Sequence, residues 1–528
     1  MSKITKYLNQ LITGNVFDAP EILDAYSVDR SILKITPKLV ALPESTDDIC
    51  KLMRFFNQLS TKEIKVGVTV RGSGLDKMGA DLGNGVIIST EKLNHLMEFD
   101  ARERLVRVQS GITLRELNTA LSVSGLTIPI GADENETIGG LISNCPTDSY
   151  SGKYGGIMNF VERAEIVLAN GECIQTGRIS KYAVAKKATE KSLEGDIYRK
   201  LYKLIQKNAD LLKSLRTKNT SSTGYSTIAY TSRKDTLDLL PLFFSAEGSL
   251  GIISEIILRA VPLKKRPARV VATFPKLETA LKFCETINEI KPRELDICDL
   301  RVLKTAEESG KNLSKITRKL ESGFVVFASF DEKTNIIVRK LTGLAKVLPK
   351  TAKCIIESQE NRLVLDEFEN SITNFLYVAH SGERVPLLTD FYLPAHNLPK
   401  FIDDLSVLES KLKLDLPLFG SYSSSNYSLR PVFDLSDPEF KKKAVTFLKV
   451  GAYILDRQEG SITGGSPEGR IKALITNTKL SDEEKKLYND IKEIFDQNNI
   501  LNPGIKLGAD TRFTLNHFRA TSSAKIVI

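Results

Sequence analysis

The stretch VRGSGLDKMGADLGNGVIIS, Val70–Ser89, sets five glycines (Gly72, Gly74, Gly79, Gly83 and Gly85) between two apolar, strand-like runs. Glycine costs conformational entropy, so a dense run marks tight turns or close approach of backbone to a ligand. Successive exposed N–H groups in such a loop form a nest for an anion such as phosphate. On this stretch alone, a flexible surface loop and an anion cradle fit equally well.

The rest of the chain narrows the choice. At 528 residues it is too long for one core, so two or three domains are expected. Apolar content of 41% and charged content of 26% are ordinary for a globular protein. There is no run of about 18 apolar residues. The opening MSKITKYLNQLITGNVFDAP lacks an apolar signal core. The expectation is a cytoplasmic protein with at most peripheral contact at the inner face of a membrane. The six cysteines form no C-x-x-C pair and no two of the four histidines have metal-ligand spacing, so neither a redox dithiol nor a histidine-rich metal site is signalled. Net charge is +9, but no basic module interleaved with aromatics is visible and tryptophan is absent. The basic residues read as a solvated face, with no nucleic-acid partner.

Local patterns give the element order. LVALPESTDDICKLMRFFNQLS (39–60) reads as a strand, a Ser/Thr cap and an amphipathic helix. LVRVQSG alternates as a half-buried strand, and TLRELNTALSVSG is a helix closed by glycine. VERAEIVLANGE ends a strand in Asn-Gly, a hairpin signal. Beyond Pro262 the texture changes to repeated strand–helix–strand units: RVVATF, GFVVFASF, AKCIIES, LTDFYLP and LPLFGSYS, with helices between. Two such units of similar size predict a ferredoxin-like α+β domain. The tail reads as helical.

Taken in order, YSVDRSILKITPKLVALPESTDDI, VRGSGL, VRVQSGITLREL, ETIGGLISN, KYGG, STGY, SAEGSLGIISEIILRAVP and ILNPG resemble the vanillyl-alcohol-oxidase-type (PCMH-type) FAD flavoenzymes. Within them the chain is most similar to the D-lactate dehydrogenase and glycolate oxidase flavin-subunit branch. The resemblance implies an α+β fold: an N-terminal helical extension (1–38), an FAD-binding domain (39–263), a cap (264–457) and a C-terminal segment returning to the FAD domain (458–528). It implies that Arg71, Gly72, Ser73, Gly74 and Leu75 wrap the FAD pyrophosphate, with glycines where a Cβ would block the approach. Arg71 would brace that loop. A second wall would come from Thr137, Ile138, Gly139, Gly140 and Asn144. Glu247, Gly248, Gly251 and Ile252 would add a third, and Gly131, Tyr154, Gly155 and Asn502 the remainder. The first glycine loop lacks histidine and cysteine, so noncovalent FAD is expected.

The cap motifs depart from the branch. Its H-x-G-D-G-N-x-H stretch, which brings metal ligands, reads GSYSSSNYSLRP (420–431) here, with Ser421, Ser424 and Ser428 at the histidine and acid places. Neutral serines are poor ligands for a divalent cation, so no active-site metal is expected. The branch's flavin-side histidine is replaced by Ser466 in GSITGGSPEGRIKA (460–473). The remaining catalytic candidates are Glu468, which also reads as a solvated loop residue, and His380 with Arg384 in FLYVAHSGER, where the branch grips a substrate carboxylate. The resemblance implies oxidation of a hydroxyl-bearing carbon, by default in a 2-hydroxy acid such as D-lactate or glycolate. Hydride would pass to FAD, and a quinone, electron carrier or oxygen would accept the electrons. Two alternatives stand beside it: a metal-free enzyme for another alcohol or a sugar-like substrate, and a flavin-binding protein with little turnover.

Overall fold

The computed structural model describes residues 2–217, 222–264, 268–308, 310, 313–317, 320, 322–332, 334–344, 353–375 and 383–519. The N-terminal half holds two larger sheets beside a small three-stranded and a two-stranded one. The first contains β1 (Asn15–Phe17), β2 (Leu39–Leu42), β3 (Val68–Arg71) and β4 (Val86–Ser89), in the order β1-β2-β4-β3. β3 and β4 pair in parallel, so the chain between them, which carries the five glycines, must cross from one end of the sheet to the other. Thr46–Thr61 supplies part of that sheet's cover: Ser45 caps it by accepting from Asp48 N, and Ile49, Leu52, Met53 and Phe56 fall on its buried face.

The second sheet contains β5 (Leu96–Asp100), β6 (Leu105–Gln109), β7 (Val161–Val167), β8 (Cys173–Gln175) and β9 (Ile252–Arg259), in the order β5-β6-β9-β7-β8. The Asn-Gly signal holds: β7 and β8 pair antiparallel, and Gly171 takes φ +78° in the turn. Thr113 and Glu116 form a capping box at the start of Leu114–Ser122.

The cap is one antiparallel sheet of seven strands: β10 (Ala268–Phe274), β11 (Glu294–Asp299), β12 (Phe324–Phe330), β13 (Lys353–Ile356), β14 (Leu388–Tyr392), β15 (Leu418–Ser421) and β16 (Asn426–Leu429). Its order is β13-β10-β12-β11-β15-β16-β14. The first four strands, with Leu277–Asn288 and Thr334–Leu344 as crossovers, have the ferredoxin-like arrangement expected from the repeats. Two strands escape local reading. ELDICD is β11, and NYSL in the degenerate motif is β16, which closes a hairpin on the expected strand β15.

The first 38 residues are not a separate helical extension. Lys3–Leu11 and Pro20–Ala25 are helices, but β1 pairs with β2, and Ile32, Leu33 and Ile35 are buried in the cap's core cluster. At the other end, Leu501 bridges Val68 in parallel and Asn502 N donates to Val68 O at 2.7 Å. Among the described residues no helix is long and apolar enough to cross a membrane.

Candidate functional site

β3 delivers the chain into Gly72–Leu75, which borders a narrow cavity of about 100 Å³. The N–H groups of these four residues donate to no protein acceptor among the described residues. That is the arrangement an anion would satisfy. Thr137, Gly139, Gly140 and Asn144 form the second wall. Thr137 caps its helix by accepting from Gly140 N at 3.2 Å, and Gly139 N is held by Ser110 O at 2.8 Å. Glu247, Gly248, Gly251 and Ile252 close the third side.

The reason for the glycines differs from the expectation. Cβ atoms at these positions would run into neighbouring loop atoms. On Gly72 one would collide with Thr137 Oγ1, on Gly74 with the Arg71 guanidinium, and on Gly139 one would press on Ser110. The glycines let the loops pack on each other. Gly74 also takes φ +71°, the left-handed region that disfavours side chains. Arg71 is tied within the protein: its Nη2 donates to Val28 O at 2.8 Å, its Nη1 lies 3.7 Å from Asp81 Oδ1, and the guanidinium sits 5.5 Å from the Tyr26 ring centroid. Asp76 ties the far half of the loop by accepting from Met78 N and Ala80 N, both at 2.8 Å. Gly74→Val is expected to strain the loop and push Arg71 from Val28. Flavin content after purification should then fall sharply while the far-UV spectrum is kept; full flavin content would free this loop from cofactor binding.

The other expected cofactor residues lie elsewhere. Ile138 is core, and Gly131 borders a second, larger cavity. Tyr154 donates to Asp331 Oδ2 at 2.5 Å, and Gly155, at φ +73°, ends the short helix Ser151–Tyr154; neither borders the two cavities. Asn502 is buried beneath the loops. Its Nδ2 donates to Ala80 O and Glu247 O, and its Oδ1 accepts from Thr69 Oγ1.

The second cavity, about 740 Å³, lies between the FAD-side loops and the cap sheet. The two cavities share Glu136 and Asn144 as lining residues. Ser421 and Ser428 border the larger one with Asn426 and Asp390. Ser428 Oγ accepts from Asp390 N at 2.9 Å and meets Thr389 Oγ1 at 2.8 Å, so it serves the cap's own polar network. Lys77, from the glycine loop, crosses to Asp390 at 3.1 Å and ties the two halves together. Burial dominates the electrostatics here. It pushes the Glu136 carboxyl up to about 7, with Lys77 pulling down and Asp133 pushing up.

His380 lies outside the described residues. Arg384 is in the two-residue strand Glu383–Arg384, where its Nη1 donates to Arg430 O at 3.1 Å; it does not border the larger cavity. Burial lowers its guanidinium to about 10. Glu468 is not a solvated loop residue. Its side chain is fully buried, accepts from Gly224 N at 2.5 Å and pairs with Lys506 at 2.6 Å, away from both cavities. Ser466 accepts from the buried Lys472 Nζ at 2.8 Å. Burial lowers that ammonium to about 8. Among the described residues, the only cluster of His, Cys, Asp and Glu close enough to hold a metal ion is Asp29, Asp76 and Asp81, beside the glycine loop rather than at the serines.

Glu136 escaped the sequence reading. It is the first letter of ETIGGLISN, but its signal is a position shared between two cavities, which no local pattern encodes.

The comparisons agree with this geometry. Residues 37–177 match the FAD binding domain family, and residues 263–505 match the C-terminal domain of FAD linked oxidases. A D-lactate dehydrogenase of Anaerostipes hadrus is 23% identical over 506 residues, covering 94% of this chain and 95% of that protein. A D-2-hydroxyglutarate dehydrogenase of Pseudomonas putida is 23% identical over 90% of this chain but only 49% of its own length. The chain thus spans about half the length of the D-2-hydroxyglutarate dehydrogenases it matches. The 4-ethylphenol oxidase of Gulosibacter chungangensis has the same fold: TM-score 0.66 at 13% identity, covering 97% of this chain and 99% of that one. The named sequence relatives are dehydrogenases of hydroxy acids. The chain belongs to the PCMH-type family of FAD flavoenzymes, and its cofactor is FAD.

Proposed function

We propose that the protein is an FAD-dependent oxidoreductase that oxidises a hydroxyl-bearing carbon held in the larger cavity. One observation carries the reading: the cavity bordered by unpaired N–H groups shares Glu136 and Asn144 with the cavity beneath the cap. Bound FAD supplies the hydride acceptor. The chain supplies the rest. Gly72–Leu75 would hold the pyrophosphate through backbone N–H groups. Glu136, with its carboxyl near 7, would take the hydroxyl proton as hydride leaves the same carbon. The Lys77–Asp390 pair would hold the cap against the loops and keep bulk water from the reacting carbon.

A 2-hydroxy acid is the reading the relatives support. A different alcohol, oxidised without metal, is the second reading. Serines at 421 and 428, and the engagement of Ser428 within the cap, favour it. The test is anaerobic mixing of the purified yellow protein with hydroxy acids and alcohols. Bleaching of the flavin's visible absorbance by one of them is expected. A flavin that dithionite reduces but no hydroxy compound bleaches would overturn the reading. Acid or heat should release intact FAD from the polypeptide. Chelator should leave the bleaching rate unchanged, since serines do not repay the dehydration of a divalent ion. Loss of activity on chelation, restored by added metal, would reverse that expectation.

A further inference from the structure

We infer that Arg293 is the carboxylate-binding residue of the larger cavity and that the cavity admits one carboxylate only, so the substrate is a 2-hydroxy monocarboxylic acid and not a dicarboxylic one. The inference rests on the oxidoreductase reading above and specifies its substrate.

Arg293 borders the cavity and is held without being used up. Its backbone N–H donates to Ser329 O at 2.7 Å, one residue before β11 begins. Its Nε donates to Ser329 Oγ at 3.3 Å, and that hydroxyl donates on to Glu294 Oε2 at 3.1 Å. The guanidinium lies 4.8 Å from the Tyr150 ring centroid. These contacts fix the planar group in place. Its two terminal nitrogens donate to no acceptor among the described residues, are in no ion pair, and keep surface open to a ligand. A carboxylate matches that open edge, because its two oxygens accept the paired N–H groups of one guanidinium.

The expected clamp does not supply this contact. Arg384 donates to Arg430 O and does not border the cavity, and His380 lies outside the described residues.

The other cations that border the cavity are engaged. Lys77 is paired with Asp390 at 3.1 Å. Arg269 is held by Glu357 at 3.1 Å and by Asp366 and Glu369, each at 2.7 Å. Arg362 meets Glu357 at 3.3 Å and its side chain is 54% exposed, so water screens it at the rim. A second substrate carboxylate would have to displace one of these partners, in a cavity where carboxylates outnumber cations. Phe327 and Phe419 border the same cavity and offer apolar surface to the rest of an acid's carbon chain.

The test uses FAD-loaded protein under anaerobic conditions and three compounds built on one carbon chain. 2-Hydroxypentanoate ends in a methyl group where 2-hydroxyglutarate carries its second carboxylate. 1,2-Pentanediol carries CH₂OH in place of the first. Binding is read from the saturation of the flavin's spectral change, and bleaching is recorded separately. 2-Hydroxypentanoate is expected to bind about tenfold tighter or better than either of the others. Arg293→Gln should weaken that binding about 10–100-fold at unchanged flavin content, the range for losing a hydrogen bond to a charged group, and leave the diol unaffected. Arg293→Lys, which keeps the charge without the fork, should recover part of the loss. Equal or tighter binding of 2-hydroxyglutarate or of the diol in the parent protein, or binding of none, overturns the inference. Unaltered 2-hydroxypentanoate binding in Arg293→Gln, or an equal loss for the diol, does the same. Tighter binding of 2-hydroxypentanoate without bleaching supports the anchor and sinks the oxidation reading. Bleaching only by the dicarboxylate or the diol keeps the oxidation reading and sinks the anchor.

Discussion

Lys506→Met is expected to destabilise the fold by about 3–5 kcal/mol, the usual cost of removing one partner from a buried ionic cluster. The Lys506 ammonium is fully buried between Glu468 at 2.6 Å and Glu247 at 3.3 Å, whose side chains are 0% and 2% exposed. Methionine fills a similar volume but leaves two buried carboxyls facing each other. The damage would spread because each carboxylate also anchors backbone. Glu468 accepts from Gly224 N and forms the N-cap of Gly469–Lys479, while Glu247 accepts from Gly469 N at 2.8 Å. Glu247 borders the narrow cavity as well, so the cluster couples the C-terminal segment to the cofactor loops. A large fall in the thermal midpoint, with flavin released at lower temperature than in the parent, is the outcome to look for. The double variant Lys506→Met with Glu468→Gln should recover part of the loss, because one uncompensated charge is gone. A midpoint shift of only a degree or two in the single variant would mean that the cluster is hydrated or already neutral.

Glu468 also shows where sequence reading stops. In GSITGGSPEGRIKA it stands among glycines, serine and proline, and local composition places it in solvent. Its burial comes from Lys506 and Gly224, 38 and 244 residues away, and nothing in the local pattern carries those contacts. The glycine loops were legible because backbone conformation and tight packing demand one residue type at fixed spacing. Their purpose was only half legible: a side chain at Gly72 or Gly74 would strike Thr137 or Arg71, so packing between the loops demands glycine as well. The ferredoxin-like half of the cap was legible as alternating strand and helix patterns. β11 was not, because ELDICD is short, mixed in polarity and buried on both faces at its centre. Its register beside β15 sets Asp296 opposite Ser421 and gives the larger cavity its acidic wall. Arg384 illustrates the opposite error. The family resemblance set it one turn from the place of a substrate clamp, whereas its guanidinium donates to Arg430 O.

Glu136→Gln is expected to cut the rate of flavin reduction by about 10²–10⁴-fold while FAD content stays normal, the range for losing a general base. Glutamine keeps the size and the hydrogen-bonding reach of the side chain but cannot accept a proton. The backbone role should survive, since Leu114 N donates to Glu136 O and Glu136 N to Asp133 O without using the side chain. The pH profile separates a base from a mere wall residue. Burial raises the Glu136 carboxyl to about 7, well above an exposed glutamate, and Lys77 and Asp133 act on it in opposite directions. A base works only when deprotonated. In the parent protein the reduction rate should therefore be low below that value, rise through about pH 7 and level off above it. In Glu136→Gln the same range should be flat at the reduced rate. A shallow loss of only a few-fold, or a profile that keeps its inflection in the glutamine variant, would move the proton transfer to another group. Lys472, held at 2.8 Å from Ser466 and lowered to about 8 by burial, would then be the next to replace.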